Sequence, residues 1–339
     1  MGITIRIGLQ KRGNMQYKKV GRTGLKVSAF GIGTMYFGNQ IIEPDAINVI
    51  DTAFEKGINF IDTANAYSGG RSEEIVGKAI KNKRHAVVLA TKVAHKQGSG
   101  PNDVGLSHEH IITAFENSLR RLNTDYVDMY YAHIPDYTTP IEETLRAFDI
   151  LVKQGKVRYI ACSNYRAWQL MKALWVSDHF DLPRFDCIQS PYNLLTRDIE
   201  YELLPCCANE GVGVTVYNPL AAGLLTGKYD FNKAPAPNNR FGREKTGDRE
   251  RELYWSPVNF QAITHLKQIT DAHGRNLAQF SLAWILNNPA ISSIIIGPSS
   301  TKQLEEDILA TDLKLTADET KACDQVWSEL RPPRIFYGK

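Results

Sequence analysis

The sequence is poor in the features that mark specialised chains. It has five cysteines in 339 residues, at Cys162, Cys187, Cys206, Cys207 and Cys323. Their number is odd and no CxxC pair occurs, so neither a disulfide framework nor a thiolate zinc site is expected. No apolar run approaches the roughly 20 residues of a membrane-spanning helix. An excess of one charge is also missing: 40 basic side chains face 37 acidic ones, a net of +3. That balance excludes the basic footprint of a nucleic-acid binder and gives no attraction to an anionic membrane. Residues 1–14 scatter Arg6, Lys11 and Arg12 around a short apolar stretch, without the charge-then-apolar order of a secretory leader. They read as an extension to a single domain over residues 15–339, and a cytoplasmic location is expected. Nothing in the chain speaks to its oligomeric state.

What is present is ordinary globular composition, 43% hydrophobic and 23% charged, arranged as a repeated alternation of short β-rich runs and helical patterns. The first strand is expected at Val27–Gly33. A helix follows from Pro44 and Asp45, residues suited to a first turn, with Ile47, Ile50 and Phe54 on one face and Gly57 at its end. Further strands are expected at Ile58–Ile61, Ala86–Thr91, Tyr126–Ala132, Val157–Cys162, Phe185–Gln189, Val212–Tyr217 and Ser293–Ile296. Helical patterns separate nearly all of them; one runs from Ile141 to Gln154 and stops at Gly155. Strand–helix alternation implies a parallel sheet, and eight such units imply an α/β fold of the closed (β/α)8 TIM-barrel type. The competing open Rossmann sheet would carry GxGxxG after its first strand. Here that turn reads Gly31-Ile-Gly33 with the third glycine delayed to Gly38. The longest irregular stretch, residues 228–257, holds Pro235, Pro237, Gly242, Gly247 and many charges. A loop of that length inside a compact domain is usually functional.

Barrel enzymes place their chemistry at the C-terminal ends of strands. The second strand ends in Asp62, with Tyr67 in the turn beyond it. The third ends in Lys92 and the fourth in His133. Each alone has a plain explanation as a cap, a packing residue or a solvated end. Three neighbouring strands delivering proton-handling groups to one rim are harder to explain so. Lys92 follows the apolar run VVLAT, and burying it is costly unless an acid pairs with it; Asp62 is the candidate. A phenol has a pKa of about 10, and a nearby ammonium should lower it. A carboxylate keeps the ammonium charged, and a histidine can hydrogen-bond a carbonyl oxygen. Together they make a proton donor beside an electrophilic carbonyl. The hydride must come from a cofactor, because no side chain supplies one.

These motifs resemble the aldo-keto reductases. The likeness rests on GINFIDTANAYSGGRSEEIVGKAI (57–80), LATKV around Lys92, MYYAHIPD around His133, ACSNY, IQSPYN, VYNPLAAGLLTGKY and IIIGPSSTKQLEED. It covers nearly all of residues 15–339 and is strongest to the branch holding bacterial aldo-keto reductases and potassium-channel β-subunits. The resemblance implies a (β/α)8 barrel binding NADP(H) without a Rossmann domain. It implies a catalytic tetrad of Asp62, Tyr67, Lys92 and His133, with Tyr67 as general acid in reduction and base in oxidation. Thr34 and Asp62 would also touch the cofactor. Ser163, Asn164 and Gln189 would bind the nicotinamide carboxamide, and Tyr217 would stack on the ring.

The pyrophosphate would lie along Asn218, Pro219, Leu220, Gly223 and Lys228, where small residues permit close backbone approach. Arg240 would add a phosphate contact. Gly297, Ser299, Gln303, Glu306 and Asp307 would hold the adenosine side, at the start of a helix whose N-terminus favours phosphate. The family pattern has Asn where this chain has Asp307, and no arginine stands in PSSTKQ to clamp a 2′-phosphate. NADP is expected ahead of NAD. The leading expectation is thus an enzyme reducing an aldehyde or ketone to an alcohol. The alternative is an NADP-binding, redox-sensing partner subunit with little turnover. The carbonyl substrate itself is not legible.

Overall fold

The computed structural model describes residues 15–237, 239–243 and 246–331. The expected extension, residues 1–14, lies outside them. The described chain opens with an antiparallel hairpin, β1 (Tyr17–Lys19) and β2 (Lys26–Ser28). Eight parallel strands follow: β3 (Phe30–Gly33), β4 (Phe60–Asp62), β5 (Val88–Val93), β6 (Val127–Ala132), β7 (Val157–Ser163), β8 (Cys187–Pro191), β9 (Gly213–Tyr217) and β10 (Ser293–Ile296). They pair in sequence order, and β10 closes the ring onto β3. The fold is a (β/α)8 barrel, as the alternation predicts.

Around it lie α1 (Glu43–Glu55), α2 (Arg71–Ile80), α3 (His108–Leu122), α4 (Ile141–Lys153), α5 (Ala167–Phe180) and α6 (Leu203–Glu210). After β9 come α7 (Thr246–Tyr254), α8 (Pro257–Ala272) and α9 (Leu277–Leu286). After β10 come α10 (Thr301–Ile308) and α11 (Ala317–Leu330). Gly57 and Gly155 follow α1 and α4 with φ of 88° and 72°, the left-handed stop that glycine adopts without strain. Among the described residues, no helix is long and apolar enough to cross a membrane.

Side chains alternate along each strand, so each strand feeds two cores. Ile61, Leu89, Tyr130, Ile160, Ile188, Val214 and Ile294 point outward into a layer shared with the helices. Phe60, Val88, Ala90, Met129, Tyr131, Ala161, Cys187 and Ile295 fill the barrel interior. Gly31 and Gly33 are packing glycines. A Cβ on Gly31 would sit 2.6 Å from Phe60 Cδ1, and one on Gly33 2.7 Å from Ile295 Cγ2.

Two local readings differ from the sequence expectation. The expected strand Val27–Gly33 is broken at Ala29. Ser28 and Asn59 exchange backbone–side-chain hydrogen bonds of 2.8 and 3.0 Å, which turn the chain there. The first half becomes the hairpin, whose Val20 and Val27 join the interior core. The hairpin sits at the N-terminal end of the barrel: Arg22 N–H donates to Gly211 O, beside the start of β9, at 2.8 Å. The second difference is α7, a helix inside the stretch read as irregular.

Candidate active site

The inward period of two predicts which residues reach the open, C-terminal rim. On β4 it steps from Phe60 to Asp62, and on β5 from Val88 through Ala90 to Lys92. On β6 it passes Met129 and Tyr131 and arrives at His133, just past the strand. Ala161 leads to Ser163 on β7, Cys187 to Gln189 on β8, and Ile295 to Gly297 beyond β10. Parallel pairing keeps these rungs level: Gly33 lies opposite Asp62, and Ser163 opposite Gln189.

Lys92 is fully buried, and its ammonium is completely engaged. It donates to Asp62 Oδ1, to the Thr63 carbonyl at 2.8 Å and to Tyr67 Oη at 3.4 Å. The other Asp62 oxygen accepts from Gln189 Nε2 at 2.9 Å. Burial alone would lower the Lys92 pKa, but Asp62 and Tyr67 more than offset it and the net direction is up. Tyr67 departs from the sequence expectation. Burial raises its phenol above the ordinary value, and Lys92 pulls it back only in part. The desolvation of an oxyanion outweighs one ammonium already shared with Asp62. The Tyr67 hydroxyl is therefore protonated at neutral pH.

His133 sits edge-on to Tyr67, with ring centroids 5.8 Å apart. Burial, then the charges of Lys92 and His95, hold its pKa well below the ordinary histidine value. It is a neutral imidazole, and its Nδ1 has no hydrogen-bond partner among the described residues.

These groups lie at one end of a cleft of about 1800 Å³, larger than the roughly 300–1,000 Å³ of ordinary small-molecule sites. Lys92 lies beneath its lining. Thr34 is on the wall, its hydroxyl 3.1 Å from the Asp62 carbonyl. Asn164 ties three elements together. It donates to the His133 carbonyl at 2.9 Å and to Ser163 Oγ at 3.0 Å, and accepts from Tyr217 Oη at 2.8 Å. Farther along, Asn218, Pro219, Leu220, Gly223 and Lys228 line one wall. Asn218 Nδ2 donates to Tyr254 Oη at 2.8 Å, which fastens that wall to α7. Arg240 lies on the rim, paired with Glu250 at 2.8 Å.

Gly297, Ser299, Gln303 and Asp307 complete the far end. There the Ser299 amide and hydroxyl both donate to Gln303 Oε1 at 2.9 Å. Glu306 is the one expected contact outside the cleft. It is exposed and lines a separate hollow with Lys56 and Lys302, because one residue along α10 from Asp307 is about 100° around the helix.

Comparison with known proteins follows this geometry. The family model described as "Aldo/keto reductase family" matches residues 29–328. The chain belongs to the aldo/keto reductase family. It is 39% identical, over 88% of its length and 92% of the relative's, to a probable voltage-gated potassium channel subunit beta of Arabidopsis thaliana. It is 36% identical to a putative subunit of the same name in Schizosaccharomyces pombe, covering 96% and 97% of the two chains. It is also 36% identical to the uncharacterized oxidoreductase YrpG of Bacillus subtilis, covering 92% and 96%.

For an aldo/keto reductase barrel, several lining residues escaped the sequence reading, and three of them carry charge or a ring that matters. His95 packs edge-on to His133 at 4.6 Å, and Arg243 and Arg249 project from the segment after β9. His95 lies two residues past the end of β5, on the rim already under scrutiny, and that position was the signal. The arginines carried none, since the segment read as irregular. Among the described residues, no group of His, Cys, Asp or Glu could hold a metal ion.

Proposed function

We propose that this aldo/keto reductase is an NADP(H)-dependent enzyme that reduces an aldehyde or ketone to an alcohol, with Tyr67 as the proton donor. The carrying observation is one buried ammonium, Lys92, held by Asp62 and turned toward the Tyr67 hydroxyl, beside a neutral His133. The cofactor, when bound, supplies the hydride. Asp62 keeps Lys92 charged. As negative charge develops on the carbonyl oxygen, Tyr67 gives up its proton, and Lys92 stabilises the phenolate left behind. His133, being neutral, has one N–H to aim at that oxygen and adds no charge that would attract water.

The cleft's donor set fits an extended dinucleotide. Amide-bearing Asn164 and Gln189 stand at the reactive end. Gly223, with φ of 92° and no side chain, leaves room for close backbone approach midway, beside Lys228. The N-terminus of α10 lies at the far end. Ser299, on the cleft wall beside the N-terminus of α10, favours NADP over NAD, although Asp307 replaces the family's asparagine. Localisation in the cytoplasm accords with this reading.

The names of the channel-subunit relatives support a second reading, a cofactor-binding partner subunit with little turnover. One experiment separates them: NADPH consumption against a panel of carbonyl compounds, with NADH in parallel. Wild type should turn over, and Tyr67→Phe should lose at least about a hundredfold in kcat while still quenching with NADPH. A Tyr67→Phe protein as active as wild type refutes the mechanism. Cofactor binding with no turnover of any carbonyl favours the partner subunit.

A further inference from the structure

The segment between Arg240 and Arg251 carries four arginines, and three of them are already occupied. Arg240 pairs with Glu250 at 2.8 Å and lies 5.4 Å from the Tyr36 ring centre. Arg243 lies 5.5 Å from the centre of the same ring. Arg251 is held by Asp248 and the Phe241 carbonyl. Arg249 has neither an ion pair nor a ring partner among the described residues. It lines the cleft together with Glu250, Leu253 and Tyr254, positions that share one face of α7.

That face is fixed against the barrel. Tyr254 is buried and holds Asn218, and Trp255 next to it packs against Tyr229, Phe241 and Phe260 with centroids 4.9–5.8 Å apart. Arg249 therefore reaches the cleft from an anchored element. The charge of Arg249 is felt at His95 and at Tyr217, whereas Arg240 and Arg243 act on Tyr36 and Tyr229. His95 is the ring packed on His133, and Tyr217 is hydrogen-bonded to Asn164. Arg249 thus lines the cleft on the side of His95 and Tyr217. The cleft's other acids at that side are spent: Asp62 on Lys92 and Glu250 on Arg240. Among the described residues, Arg249 meets no anion at that side of the cleft.

We propose that Arg249, on the cleft face of α7, is an anion subsite, and that the favoured carbonyl substrates carry a carboxylate or phosphate a few atoms from the reacting carbon. This rests on the carbonyl-reductase reading. A guanidinium gripping an anion through charge-assisted hydrogen bonds is worth roughly ten- to hundredfold in affinity.

The test compares matched pairs with NADPH: succinic semialdehyde against butanal for the carboxylate, and glyceraldehyde 3-phosphate against glyceraldehyde for the phosphate. Wild type should prefer the charged member of at least one pair, which also tells the two anions apart. Arg249→Ala should reduce the charged-to-uncharged ratio of kcat/KM about tenfold or more, chiefly through KM, and Arg249→Lys should restore part of it. Calorimetric titration of succinate and glycerol 3-phosphate into wild type and Arg249→Ala, with NADP⁺ present and absent, reads the subsite without turnover. Arg249-dependent anion binding in a protein that reduces nothing would sustain the subsite and defeat the enzymatic reading. Carbonyl turnover with a ratio that Arg249→Ala leaves in place would overturn the subsite and spare the reductase.

Discussion

Replacing Asp307 with asparagine should change stability by an amount that depends on pH. Asp307 is buried on α10, and its carboxyl is pushed up to about 7, by burial first and by the neighbouring Glu306 second. In the unfolded chain its value returns to the ordinary 3.8. A raised carboxyl pKa means the folded state holds the proton more tightly, so stability is fully present at low pH and is lost as pH rises. Below about pH 4 both states are protonated and nothing is lost. Between about 4 and 7 the unfolded chain ionises alone, and above 7 the loss is complete.

The gap corresponds to a loss of about 4 kcal/mol at pH 8, against about 2 kcal/mol at pH 5. Asparagine has nearly the same shape and does not ionise. The advantage of Asp307→Asn over wild type should therefore grow by about 2–3 kcal/mol between pH 5 and pH 8. For a chain of 339 residues the unfolding entropy is roughly 0.7 kcal/mol/K, so the difference in Tm should widen by roughly 3–4 °C. Thermal unfolding of both proteins, cofactor-free, at the two pH values checks this. A gain that is the same at both pH values, or larger at pH 5, refutes the assignment of a buried, hard-to-ionise carboxyl.

The remaining predictions concern the barrel and its rim. Because Tyr67 is raised and His133 is lowered well below its ordinary value, carbonyl reduction should stay level through neutral pH, while alcohol oxidation should climb into the alkaline range; stopped-time NADP(H) assays in both directions read the two profiles. Lys92→Met removes the partner of a buried carboxylate and should cost about 3–5 kcal/mol in denaturant unfolding as well as activity. Gly31→Ala drives a methyl toward Phe60 and should destabilise by about 1–3 kcal/mol, measured as a lower Tm, without touching the rim.

The fold was readable because every barrel strand is buried on both faces and is followed by a helix with one apolar stripe. The strand boundaries drifted. Ala86–Thr91 proved to be Val88–Val93, so Lys92 lies within its strand rather than after it. Apolar residues such as Val87 precede the pairing register and do not mark where it starts. The hairpin strand Tyr17–Lys19 was invisible, being three residues of which two are lysines. α7 was missed because TGDRERELY is polar except at its end, and its anchor, Tyr254 and Trp255, lies at or beyond its last turn.

Asp62, Tyr67, Lys92 and His133 could be picked out as ionisable residues at strand ends, but their electrostatics could not. The sign of the Tyr67 shift depends on how much water reaches the phenol, a property of the closed rim and not of any local string. Glu306 shows the same limit: a helical position one step from a lining residue faces elsewhere, and only the rotation of α10 decides which.

The hairpin across the N-terminal end gives the barrel a floor and leaves one mouth. Gly21 makes that floor tight: a Cβ there would lie 2.3 Å from the Gly211 carbonyl oxygen, so the seal is backbone against backbone. The interior between that floor and the rim is filled with side chains, so the hairpin holds the barrel shut and stable and does not shape the cleft at the opposite end.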